Sequence, residues 1–169
     1  MSCILDMIYN MEKDYLEALM NQLEQLEHVL QEKGVKYEII KHEGPIKTAQ
    51  EGAAFLGIEI GQTAPALVLR AGNEYCALIV SGDRGRVNLE ETAALMGYDS
   101  LKMASPKQVL QLTGQEVGSV SLMLPLPCIV DRKLFRYPFV YGGTGEPGST
   151  LKISPQALEQ LNEVVAYLD

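Results

Sequence analysis

The chain has 169 residues, 47% apolar and 21% charged, which suits one globular domain with a sizeable core. A net charge of −8 argues against broad, charge-driven binding to a nucleic-acid backbone and against a DNA partner. It leaves room for a local basic pocket that receives one nucleotide end.

The first eleven residues, Met1 to Met11, are partly apolar but contain Asp6 and no Lys or Arg, a poor signal peptide. No apolar run approaches the roughly 20 residues of a membrane span. No membrane partner is therefore expected, and a cytoplasmic location is. Leu16, Leu19, Leu23, Leu26, Val29 and Leu30 recur at spacings of three and four, which predicts one helix closed by Gly34. The leucine stripe is too short for a sustained coiled coil and reads as core. Val35 to Lys41 alternates as a strand and is broken by His42-Glu43-Gly44-Pro45. Thr48 and Glu51 form a capping box for a helix that ends at Gly57.

Ala64 to Ala71 and Tyr75 to Ser81 are nearly continuous apolar runs joined by a hairpin turn at Gly72-Asn73. Their composition predicts central strands covered on both faces. Asn88 caps a helix closed by Gly97, and Leu101 to Ala104 is a short strand. Ser105-Pro106 caps the helix Pro106 to Thr113, with proline at its first position. Strands follow near Cys128–Asp131, Phe139–Tyr141 and Thr150–Ile153. Ser154-Pro155 then opens a C-terminal helix with Leu158, Leu161, Val164, Val165 and Leu168 on one face. The elements together predict one α+β domain with a mixed, mainly antiparallel sheet and helices packed around it.

Cys3, Cys76 and Cys128 are odd in number and widely spaced, so they form neither a disulfide framework nor a metal knuckle. His28 and His42 are far apart, and no carboxylates match them at metal-ligand spacing. No metal and no cofactor is expected. The unusual chemistry is concentrated between Gly114 and Pro155. Two loops rich in small residues, Gly114 to Ser121 and Tyr141 to Thr150, flank β-prone segments there. Glycine lets a ligand approach the main chain closely, though Gly, Ser and Pro are also ordinary turn residues.

The order of these pieces resembles the YbaK/prolyl-tRNA-synthetase-associated domain family, the free-standing and fused aminoacyl-tRNA editing domains. The resemblance covers about Leu23 to the end, which divides the chain into an N-terminal helical extension, 1–22, and an editing domain, 23–169. It begins with His42-x-x-Pro45-x-x-Thr48, the run Ala66-Leu67-Val68-Leu69-Arg70, and Val80-x-Gly82-Asp83 with Val87-Asn88-Leu89. It continues through Leu101-x-x-Ala104-Ser105-Pro106, Leu112-Thr113-Gly114-x-x-Val117-Gly118-x-Val120-Ser121 and Val130-Asp131. It closes with Gly142-Gly143-x-Gly145-x-x-Gly148-x-x-Leu151-x-Ile153-x-Pro155. No single piece is decisive; their order and spacing together are specific.

The resemblance implies a barrel-like mixed sheet surrounded by helices. It implies hydrolysis of the ester joining a wrong amino acid to the tRNA 3′ end, with the 3′ end of aminoacyl-tRNA as partner. An aminoacyl-tRNA synthetase is a further implied partner. Gly118, Ser119, Ser121 and Asp131 take the catalytic positions. His42, Thr48, Pro65, Gly143 and Gly145 take the substrate-binding ones. Backbone N–H groups would hold the oxyanion, and a ribose hydroxyl or water would be the nucleophile, so no Ser-His-Asp arrangement is needed.

Two departures stand out. Pro65 occupies the place where the family carries a lysine, and proline offers neither charge nor N–H. Leu122-Met123-Leu124 replaces the Pro and Gly that the family favours after the first glycine loop. Lys47, Arg70 and Arg84 are the candidate replacement cations. Two function classes follow, with Pro65 separating them: a deacylase working without the usual lysine, and a non-catalytic module that binds a tRNA end or small molecule. A protein-interaction role for the leucine-striped helix is a third.

Overall fold

The computed structural model describes residues 2–19 and 21–169, with side chains of Ser2 and residues 15–20 outside the description. Two helices, α1 (Ser2–Leu19) and α2 (Gln22–Glu32), replace the single helix expected across Leu16 to Leu30. The break lies at Asn21, whose backbone is extended and whose side-chain carbonyl accepts from the Glu24 N–H at 2.8 Å. That bond satisfies an orphan donor and starts a new helix. Leu26 and Leu30 are fully buried, and Val29 packs against the same core. The side chains of Leu16 and Leu19 lie outside the described residues. Residues 3–12 of α1 are all exposed.

Further along come β1 (Tyr37–Lys41), α3 (Ala49–Leu56), β2 (Ala66–Ala71), β3 (Glu74–Ile79) and α4 (Leu89–Met96). They are followed by β4 (Lys102–Met103), α5 (Pro106–Thr113), β5 (Cys128–Asp131), β6 (Val140–Gly143) and β7 (Ser149–Ile153). The chain ends with α6 (Ala157–Leu161) and β8 (Val164–Leu168). The expected caps form: Thr48 accepts from Glu51, Asn88 from Glu90 and Glu91, and Ser105 and Gln108 make a reciprocal box.

The strands make two sheets. One runs β1-β7-β6 and is antiparallel throughout; the other runs β4-β2-β3-β5-β8. Its β4, β2 and β3 are antiparallel neighbours, and β5 and β8 add in parallel. The fold is α+β and its strand pairing is mainly antiparallel, as expected, but the strands do not close into a barrel. The β2–β3 hairpin is covered on both faces. Val68, Ala77 and Ile79 enter one core cluster with Leu26 and Leu151, while Leu69, Cys76 and Leu78 enter another with Ala93 and Ile129.

The C-terminal helix is a correction. It covers only Ala157–Leu161, its start has no side-chain cap from Ser154, and Val164–Leu168 is a strand parallel to β5. Asn162 ends the helix. Its amide donates to the carbonyls of Leu122 (2.7 Å) and Leu158 (3.1 Å) and accepts from the Leu124 N–H (2.8 Å). The β-branched pair Val164-Val165 then favours extended backbone.

Candidate active site

A cleft of about 270 Å³ lies beside β6 and β7 of the β1-β7-β6 sheet. Its walls are the start of α3, the segment 63–67, the first glycine loop at 117–120 and the second at 141–150.

The α3 wall is built by a displaced capping box. Thr48 Oγ1 accepts from the Glu51 N–H at 3.1 Å, and the Glu51 carboxylate reaches back to the Lys47 N–H, also at 3.1 Å. This bond uses the Lys47 main chain and leaves its side chain exposed on the cleft. His42 is fixed at both ring nitrogens, Nδ1 2.7 Å from the Gly44 carbonyl and Nε2 3.1 Å from Thr150 Oγ1. A carbonyl can only accept, so in the neutral ring Nδ1 carries the proton and Nε2 accepts from the Thr150 hydroxyl.

The segment 63–65 is pinned from two sides. The Ala64 N–H donates to the Tyr141 carbonyl at 2.8 Å, and the Gly82 and Val80 N–H groups donate to the carbonyls of Thr63 and Pro65. Pro65, half-buried, therefore holds a defined place in the cleft wall.

The first glycine loop turns at Glu116 to Ser119, closed by a bond of 3.0 Å from the Ser119 N–H to the Glu116 carbonyl. Gly118 has φ +92, the left-handed position that a type II turn requires of its third residue. The N–H groups of Gly118 and Val120 meet no protein acceptor among the described residues. At Gly143 the sheet passes so close that a Cβ would collide with the Val120 carbonyl oxygen. A second layer supports this loop. The Gln115 amide accepts from the Ser121 N–H at 2.8 Å and donates to Gln22 Oε1 at 2.6 Å.

His42, Thr48, Pro65, Gly118, Ser119 and Gly143 thus share one cleft. Three expected site residues are not in its lining. Ser121 is buried behind the loop, where its hydroxyl accepts from the Met123 N–H at 3.0 Å. Gly145 is tied to the back of the loop, its N–H donating to the Ser119 carbonyl at 2.9 Å. Asp131 is fully buried, its carboxylate gripped by Arg84 at 2.6 and 2.7 Å and by the N–H groups of Ser81 and Lys133. Burial alone would raise the Asp131 carboxyl, but the Arg84 guanidinium and the two amides hold it below the usual carboxylate range.

The candidate cations separate. Lys47 lines the cleft. Arg84 is committed to Asp131, and Arg70 donates to the Gly72 carbonyl at its hairpin. Leu122 and Leu124, which stand where the family favours Pro and Gly, point into the main core, with Leu122 filling the space beneath Gly142. Sequence reasoning passed over Glu146, which lines the cleft with Lys47. Its place beside a glycine cluster was the available signal. Among the described residues, no group of three or more His, Cys, Asp or Glu side chains is placed to hold a metal.

The model of the aminoacyl-tRNA editing domain matches residues 43–161, well over half of the chain. The chain belongs to this family. Its fold agrees with that of other editing domains. A structure described as a candidate trans-editing enzyme for prolyl tRNA synthetase superposes with a TM-score of 0.76 at 28% identity, covering 88% of this chain and 96% of that one. The crystal structure of hypothetical protein APE2540 gives a TM-score of 0.77, also at 28% identity, over 84% and 96% of the two chains. The uncharacterized protein YwhH of Bacillus subtilis (strain 168) is 23% identical over 135 residues, 78% of this chain and 85% of that protein. The proline–tRNA ligase of Thermosipho melanesiensis is 32% identical over 77 residues, which is 46% of this chain but 14% of the ligase. No described helix of this editing domain is long and apolar enough to cross a membrane.

Proposed function

We propose that this editing domain is an aminoacyl-tRNA deacylase that hydrolyses the ester of a mischarged tRNA in the cleft, with narrow or weak turnover. The observation that carries the reading is the N–H groups of Gly118 and Val120, without a protein acceptor among the described residues, in the wall of the cleft that Lys47 also lines. Amide donors already fixed in place suit the charge that develops on the ester carbonyl oxygen. Water, or water activated through the neighbouring ribose hydroxyl, adds to the carbonyl carbon. The carbon–oxygen bond to the ribose breaks, the amino acid leaves as a carboxylic acid, and the ribose oxygen takes a proton. Glu146 is the carboxylate at hand to accept the proton from the attacking oxygen. Lys47, which lines the cleft, is the cation we assign as a partial substitute for the lysine that Pro65 replaces.

The bound partner is the 3′ end of an aminoacyl-tRNA, with an aminoacyl-tRNA synthetase as a second partner, and the setting is cytoplasmic. We divide the chain into an N-terminal helical extension, 1–22, and an editing domain, 23–169, with Gln22 at the boundary bonding into the cleft support. Pro65 favours one other reading, a binding module without turnover. Single-turnover deacylation over a panel of mischarged tRNAs separates the two: release of amino acid above the uncatalysed rate supports the deacylase, and binding without release supports the module.

A further inference from the structure

We propose that Phe139, Tyr141 and Lys152 form a subsite beside the cleft for the unpaired RNA nucleotides just upstream of the aminoacylated end. The inference rests on the deacylase reading above and deepens it. Register places the residues. On the outward face of the β1-β7-β6 sheet, one cross-strand row is Ile40, Thr150 and Gly143, of which Thr150 and Gly143 line the cleft. The next row is Glu38, Lys152 and Tyr141, and Tyr141 also lines the cleft. Strand alternation sends Ile39, Leu151, Ile153 and Val140 to the core on the opposite face, so this second row stands outward.

Phe139 precedes β6 by one residue and joins the row. Lys152 Nζ lies 4.5 Å from its ring centroid and 5.9 Å from that of Tyr141. The Gln62 side chain holds the Phe139 carbonyl at 3.3 Å. Phe139 nonetheless stays 44% exposed, and the charge on Lys152 is only loosely met by Glu38 at 3.6 Å. An exposed ring next to an ammonium, continuous with a cleft for an acyl group, is poorly suited to a free amino acid, which would fill the cleft alone. It suits a single-stranded nucleic-acid end, in which a base stacks on the ring and the ammonium meets a phosphate. Such stacking tolerates any base, and a local cation serves it despite the chain's net charge of −8.

Two non-hydrolysable probes test this: an amide-linked aminoacyl-adenosine, and the same group at the end of a four-nucleotide RNA, each made with a panel of amino acids. The wild-type protein should bind the RNA probe more tightly than the nucleoside. Phe139→Ala should weaken the RNA probe about 5- to 150-fold and leave the nucleoside unchanged. Phe139→Trp should restore it. Lys152→Met should reduce the slope of log affinity against log salt by about 0.7 for the RNA probe alone. Both side chains are on the surface, and thermal melting checks that the variants fold. Equal binding of the RNA probe by wild type and Phe139→Ala, or no gain of the RNA probe over the nucleoside, overturns the subsite and leaves the deacylase reading standing. Failure of the wild type to bind either probe overturns both.

Discussion

Lys47, Arg70 and Arg84 look alike as letters, and each reads as solvated surface. Only the folded chain separates them, because their partners are distant: Arg84 meets a carboxylate 47 positions away. Lys47→Ala should slow deacylation roughly 10- to 150-fold, the equivalent of one charge-assisted hydrogen bond of about 1.5–3 kcal/mol. Its exposed side chain predicts an unchanged melting temperature. Pro65→Lys restores the usual cation where Lys47 substitutes only in part, so it should raise the rate, but by less than Lys47→Ala lowers it; Leu122 and Leu124 point into the core and leave the cleft wall free. Single-turnover kinetics on one substrate panel compares all three proteins. Cys76 and Cys128 are fully buried. Burial raises the Cys76 thiol and pushes Cys128 up to about 12. In native buffer a thiol-specific reagent should therefore label Cys3, which is exposed, and reach the other two only after unfolding.

Among elements, the helix starts were legible because a cap is a local bond: Thr48, Asn88 and Ser105 each serve an amide within three residues. The C-terminal segment was not, since Leu158, Leu161, Val164, Val165 and Leu168 fit a helical period as well as a helix and strand in succession. What decides it is Asn162 bonding Leu122, 40 positions earlier. The support of the first glycine loop was hidden for the same reason, because Gln22 and Gln115 are 93 positions apart. Gln115→Ala leaves the buried Ser121 N–H without its acceptor, which should cost about 1–3 kcal/mol of stability by denaturant unfolding. Deacylation should fall with it, because the Gly118–Val120 donors lose their backing. Gly143→Ala should be worse for activity than for stability. The added Cβ meets the main-chain oxygen of Val120, which can yield only by moving the loop that forms the cleft wall.

For the molecule as a whole, the Arg84–Asp131 pair ties β5 to the Ser81 turn and reaches the carbonyl of Asp169 at 2.9 Å. Asp83 is held low in the same region by hydrogen bonds from Arg136 and Ser81. Both carboxyls have folded values below their unfolded ones, so the unfolded chain takes up protons first as pH falls. The stability they contribute is present above the usual carboxylate value near 4 and is lost as pH drops through the lower folded values. Urea unfolding from pH 7 down to pH 2 should show that loss, and Asp131→Asn should flatten it at the cost of lower stability at neutral pH. The family and the sheet's central hairpin were legible from order and composition, because nearly continuous apolar runs mark strands buried on both faces. The division into two sheets was not, because it depends on pairings such as β1 with β7 that no local pattern encodes.

The measurement that bears most directly on the cleft as a deacylase centre is single-turnover release of amino acid from a panel of mischarged tRNAs. Wild type, Pro65→Lys and Gly143→Ala would be compared on each substrate. The account predicts release from at least one tRNA above the uncatalysed rate, faster with Pro65→Lys and abolished by Gly143→Ala. Release by none of the three from any tRNA, or release that Gly143→Ala leaves untouched, would contradict it.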